Sequence, residues 1–304
     1  MSPIQVQKKF AFTGHRDCLY ALSATGAEQS FLSAGADGLV VQWDFTQPDQ
    51  GKVLAKMQST VYAMTYDEAS GFVFIGQNFD GIHAVHLTDA SKNFSIACTQ
   101  AAIFDVWVQG DFLWLATGDG ELIYIHWTEK RIVQRVKLSD KSLRSLHYHP
   151  EQEVLAVGAS NHQIHLFDLK SKKVVQVLEG HTNSVFTVQY SPDFQFLMSA
   201  GRDAHLKIWD VKNDYRLKED IVAHMYAINH ITFSPSGRYF ATASMDKSIK
   251  LWDARSFALL KVIDKARHAG HGTSVNKLLW TSTDNLLVSC SDDRTISIWD
   301  LTLQ

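Results

Sequence analysis

The chain has 304 residues, a formal net charge of -3 and 45% apolar residues. That is enough apolar matter for a sizeable core, but no stretch approaches the roughly 20 apolar residues of a membrane helix, and Met1 to Phe10 lack the apolar segment of a secretory signal. The densest basic cluster, Lys170 to Lys173, suits a solvated turn better than a phosphate-binding stripe, and Cys18, Cys98 and Cys290 lie too far apart for a disulfide framework or a zinc pair. Reduced thiols, a cytoplasmic address and no metal or other cofactor are expected.

Taken in chain order, the predicted elements are strands, and they repeat. Val6 to Phe12 comes first, without a unit of its own. Then His15, Ser33, Asp37 and Trp43 follow one another at offsets of 18, 4 and 6 residues. The same offsets recur in His181-Ser199-Asp203-Trp209, His224-Thr242-Asp246-Trp252 and His271-Ser289-Asp293-Trp299. Each Trp is followed by Asp. Between the first and second full copies lie three degenerate ones. Asp80 to Val85 and Asp119 to Tyr124 keep a turn and an apolar strand, and Asn161 to Phe167 has Asn for Asp and Phe for Trp. Aligned on the Trp column, Trp43, His86, Ile125, Phe167, Trp209, Trp252 and Trp299 are 43, 39, 42, 42, 43 and 47 residues apart. Within a copy, Val185 to Tyr190 is β-branched and aromatic, Ser191-Pro-Asp breaks it, and Phe196 to Ala200 resumes. No window favours a helical period. Seven units with a period of about 40–45 residues, each with four short strands, predict an all-β propeller.

The pairs Gly14-His15, Gly180-His181 and Gly270-His271, with the four Trp-Asp pairs, resemble the WD40-repeat family over about residues 6–302. The resemblance is specific in repeats one, five, six and seven and weaker in two, three and four. It implies a single seven-bladed propeller spanning 1–304, with four antiparallel strands per blade and blades ending near 44, 87, 126, 168, 210, 253 and 300. Residues 6–12 then complete the last blade and close the ring, removing two free sheet edges.

Repeated His, Ser and Asp invite a hydrolase reading. Four identical sets argue for a structural role, because an enzyme needs one. The resemblance implies a buried chain from the Trp indole to the hydroxyl, to His, to Asp. Repeats two to four lack the set, so Phe72, Phe74, Phe112, Trp114 and Leu115 are expected to pack those blades, which should open more readily. His147, His149, His162 and His165 cluster in repeat four, but no Cys or acid at matching spacing completes a metal site.

If catalysis is absent, a face of the ring must bind. The family register points to residues three and five after the Gly-His histidine and to the residue before the Asp column. The partner-binding positions predicted there are Tyr20, Tyr62, Phe79, Phe104, Arg144, Phe186 and Arg202, since aromatics and Arg dominate interface hot spots. Most fall in blades two to four and next to them. A longer loop, Asp264 to Gly270, lies on the same face. The expected function is a non-catalytic scaffold, itself monomeric, that docks a peptide or loop of another protein within a complex, with neither membrane nor nucleic acid as partner. Two alternatives stand. One is a small-molecule site or enzyme in the central channel, which needs convergent acids or histidines where the register shows mostly small, apolar or aromatic residues. The other is an RNA-binding propeller.

Overall fold

A computed structural model describes residues 4–27, 29–48, 50–282 and 285–302. They form seven four-stranded antiparallel sheets arranged as the blades of a ring. In six blades the four strands are consecutive in the chain. In the seventh, the outermost strand is Gln5–Phe12, which pairs with Ile296–Thr302 from Gln5 opposite Thr302 to Phe12 opposite Ile296. The ring therefore closes through backbone hydrogen bonds between the two ends of the described chain.

Burial grades outward across each blade. The second strands, such as Val154–Ala159 and Tyr239–Ser244, are buried throughout. Both their faces meet neighbouring blades, so a run of apolar and small residues suits them better than alternation. Outer strands such as Lys173–Leu178 and Arg216–Val222 are mostly exposed. Among the described residues the apolar core divides into seven clusters, one at each interface between adjacent blades.

The innermost strands surround the ring axis: Leu19–Ala24, Val61–Asp67, Ile103–Gln109, Leu143–His149, Val185–Tyr190, Ile228–Phe233 and Val275–Trp280. Each has one free edge, and side chains of the preceding blade satisfy part of it. Ser23 Oγ accepts the Tyr66 N–H, Asp105 the Leu146 N–H, Ser145 Oγ the Val188 N–H, and His230 Nδ1 the Leu278 N–H. Unpaired strand edges are costly when buried, so these latches both satisfy the backbone and fix the blades in register.

The cysteines Cys18, Cys98 and Cys290 are free thiols. No helix among the described residues is long and apolar enough to cross a membrane. The Asp264 to Gly270 loop contains one helical turn, Lys265–His268, capped by the Asp264 side chain. It lies against the closing strand, where Lys8 Nζ donates to the Ala269 carbonyl.

Candidate functional site

The four His-Ser/Thr-Asp-Trp sets are each drawn together inside one blade. In blade one, Trp43 Nε1 donates to Ser33 Oγ at 2.7 Å, His15 Nε2 lies 2.8 Å from the same oxygen, and His15 Nδ1 lies 2.9 Å from Asp37. Blade five repeats this at 2.8, 2.7 and 2.8 Å through Trp209, Ser199, His181 and Asp203. Blade six does so through Trp252, Thr242, His224 and Asp246, and blade seven through Trp299, Ser289, His271 and Asp293. A carboxylate can only accept, so each His donates from Nδ1 and its Nε2 accepts the hydroxyl proton. Burial holds His15 and His224 below the ordinary imidazole value, which favours this neutral form. Burial pushes the Asp203 carboxyl up, but the hydrogen bonds from His181 and the Thr182 amide outweigh it and hold it down at about 2. In all four sets the Trp, hydroxyl and His are buried and the Asp is part-buried, and none of them lines the channel cavity.

The face at the channel mouth is built by a different device. Every innermost strand carries a β-bulge between the fourth and sixth residues after the aligned histidine position. A bulge leaves one residue outside the ladder and re-aims its side chain. The seven extra residues are Tyr20, Tyr62, Phe104, Arg144, Phe186, Asn229 and Asn276. The close approach needs glycine opposite in blades one and five, since a Cβ on Gly35 or Gly201 would collide with the Cys18 or Ser184 carbonyl. All seven bulged residues line one cavity of about 190 Å³, together with Asp105, Ser145, His230 and Lys277. A cavity touched by all seven innermost strands lies on the ring axis.

Two chemistries divide this ring. Tyr20 packs on Tyr62 with ring centroids 5.0 Å apart, and Tyr62 on Phe104 at 5.2 Å. The Arg144 guanidinium follows, 3.9 Å from the Phe104 centroid and 5.0 Å from that of Phe186. Asn229 and Asn276 complete the circle as bolts. Asn229 Nδ2 donates to the Val275 carbonyl, and Asn276 Nδ2 to the Leu19 carbonyl and to Asp292. Five of the seven sequence-predicted binding residues thus share one site. The other two do not join the ring. Phe79 is 64% exposed at a hairpin turn, and Arg202 lines a groove that runs outward over blades five to seven. Both precede the Asp column, which the fold places at turn tips away from the axis.

Sequence reasoning missed two parts of this surface. The first is the shelf of the outward groove, formed by Met225, Tyr226 and Met245, which are 82%, 59% and 57% exposed. It lies in blade six, outside the divergent arc where the exposed apolar surface was expected. Met245 stood at an aligned position, but nothing in residue type separates an exposed Met from a core one. The second is the charge in the channel wall. The register suggested mainly small, apolar or aromatic residues, yet Asp105, His230 and Lys277 converge there beside the predicted Arg144. Asp105 and His230 are tied to backbone N–H groups of the next blade. Burial pushes the Asp105 carboxyl up and holds His230 well below the ordinary imidazole value. In blade four, His147 Nδ1 accepts the Tyr190 N–H, and burial holds this imidazole down to about 4. Among the described residues, no three His, Cys, Asp or Glu side chains are grouped to hold a metal ion.

Two family profiles match the sequence: Nucleolar protein 10-like, N-terminal domain, over residues 82–303, and WD domain, G-beta repeat, over residues 6–44. Among curated proteins, Striatin homolog of Dictyostelium discoideum is 23% identical over 229 residues, covering 72% of this chain and 24% of that protein. Ribosome biogenesis protein YTM1 of Pyricularia oryzae is 24% identical over 221 residues, covering 69% and 43%. U3 small nucleolar RNA-associated protein 21 of Saccharomyces cerevisiae is 23% identical over 174 residues, covering 57% and 18%. The chain spans less than half the length of each of these relatives. The solved WD40 beta propeller domain of Doa1 superimposes with a TM-score of 0.85 over 97% of both chains at 17% identity, a likeness of fold alone. These matches overturn the cytoplasmic address, since the matched family is named for a nucleolar protein and two relatives for ribosome biogenesis and a small nucleolar RNA. The RNA-associated relative also leaves the expected absence of a nucleic-acid partner without support.

Proposed function

The chain belongs to the Nucleolar protein 10-like, N-terminal domain family of WD-repeat propellers, and from that premise we propose that it is a non-catalytic scaffold that docks an extended segment of a protein partner across the channel mouth. The observation that carries this reading is the convergence of seven bulged side chains on one cavity, with an unbroken aromatic and arginine run through five of them. Aromatics and Arg in partly buried positions are the usual anchors of an interface. The outward groove with Met225, Tyr226 and Met245 supplies an exposed apolar track leading from that cavity, and such patches on soluble proteins mark docking sites. The names of the family and of two relatives support a nucleolar assembly concerned with ribosome production as the setting.

A catalytic reading has less support. Asp105 and His230 both line the channel cavity, but each is engaged as an acceptor of a backbone N–H. The test is affinity capture with mass spectrometry, comparing wild type with Tyr62→Ala/Phe104→Ala. The double variant should lose ribosome-assembly partners that wild type retains, with little change in melting. Equal capture by a folded double variant would remove the channel mouth from the binding surface.

A further inference from the structure

Arg144 is the least satisfied group at this site. Its guanidinium is held between the Phe104 and Phe186 rings, and burial holds it down to about 10. Among the described residues it has no hydrogen-bond or ion-pair partner; the Lys277 ammonium in the same cavity makes no hydrogen bond or close ion pair either, although its charge acts on Asp105. A guanidinium fixed by two rings keeps its N–H fork in one orientation, and that fork matches a carboxylate in bidentate geometry. His230 adds a donor: its Nδ1 accepts the Leu278 N–H, which leaves the proton on Nε2. Asp105, the one acid lining the cavity, has its carboxylate oxygens engaged by the Val106 and Leu146 N–H groups, so it does not pair with Arg144.

We infer that the channel mouth is an acid-reading site, in which Arg144 and Lys277 receive the side-chain carboxylate of an Asp or Glu from a protein partner whose neighbouring apolar residue lies on the Met225, Tyr226 and Met245 shelf. This rests on the scaffold reading and specifies its ligand. Size and charge select a single carboxylate. About 190 Å³ on the axis accommodates a side chain. The adjoining groove carries Asp203 and Asp292 beside Arg202, so no basic track continues outward for a polyanion. Asp105 in the wall also opposes a doubly charged group more than a singly charged one.

The test is to pan phage-displayed random dodecapeptides against the whole chain and against Arg144→Gln, with Lys277→Gln as an independent variant and melting curves to establish folding. Wild type should select an acidic residue at one position with an apolar residue at a constant spacing. Both variants should lose the acidic preference while keeping the apolar one. Replacing Glu by Gln in a selected synthetic peptide should weaken binding at least about tenfold, as expected for lost hydrogen bonds to a charged group. Selected peptides without an acidic position, or Gln binding as well as Glu, would overturn the acid-reading site and leave the scaffold reading intact. A phosphoserine peptide binding more than tenfold tighter than its Glu counterpart would overturn the carboxylate in favour of a phosphate. Failure to select any peptide, together with unimpaired partner capture by the Tyr62→Ala/Phe104→Ala variant, would overturn both.

Discussion

In blades one, five, six and seven, the third-strand indole donates to a hydroxyl that leads to a histidine and then an aspartate. At the interface of blades two and three, Phe72, Phe74, Phe94 and Trp127 pack together instead, with Trp127 centred 5.6, 5.2 and 6.2 Å from the three phenyl rings. Between blades three and four, Trp114 stacks on Tyr124 at 4.1 Å and meets Phe167 edge-on at 5.8 Å. The two arcs thus use different chemistry to hold the same sheet geometry. A polar chain is directional but unforgiving, because one missing member leaves buried partners unsatisfied. Aromatic packing tolerates substitution, but it does not by itself place polar atoms. The divergent arc shows this: Asn78 Oδ1 and His165 Nε2 are buried there without a hydrogen-bond partner, and His83 Nε2 makes no hydrogen bond but lies 3.5 Å from the Asp80 carboxylate. Only His268 and Ser297 leave such atoms elsewhere among the described residues.

Breaking the aromatic arc should have the largest effect. Trp127 is buried, and its indole donates to the Gly110 carbonyl at 2.8 Å. Trp127→Ala should cost about 3–5 kcal/mol in urea unfolding, with hydrogen exchange rising first in blades two and three. A loss below about 1 kcal/mol would show that the arc does not depend on this cluster.

Breaking the polar arc should cost less. His181→Ala strands Ser199 and Asp203 and should destabilise by about 1–3 kcal/mol, while the folded fraction keeps its binding. Unchanged melting with lost binding would reverse the structural assignment. The effect should depend on pH with a definite sign. Asp203 is held at about 2, below its ordinary 3.8, so the pair's contribution is full above the ordinary value and lost as pH falls through about 2. Wild type and variant should therefore converge in strong acid.

The smallest effect has the opposite sign and sharpens the contrast. His165 is buried, its Nε2 has no partner, and burial holds it below the ordinary imidazole value. His165→Leu removes that orphan and should raise stability by about 1 kcal/mol. The same exchange at His181 should lower it. A loss at both positions in thermal melts would mean that His165 contributes through packing.

The ring itself was legible because its signal is a count, and the Trp column keeps its period even where Trp is replaced. The channel mouth was legible in part. Tyr20, Tyr62, Phe104, Arg144 and Phe186 occupy one register position, and a register can be read without knowing that a bulge turns it toward the axis. Phe79 and Arg202 follow a second register position whose side chains end at turn tips. Trp127 was missed because it stands two residues beyond the aligned Ile125, past the end of its strand, and only the fold brings it back onto Phe74. Met225 and Tyr226 follow the His224 column in the chain, and their exposure depends on what the neighbouring blades leave uncovered.

The closing strand pair gives the ring a mechanical seam with a direction. Gln5 stands opposite Thr302, so residues 5 and 302 lie at the same end of the pair. A force drawing those two residues apart loads the closing hydrogen bonds one after another, like a zip. A force applied at Phe12 and Thr302, at opposite ends of the pair, loads all of them together in shear. The seam is therefore weakest to tension on tethers joined near residues 5 and 302, and much stronger to a load applied along the strands.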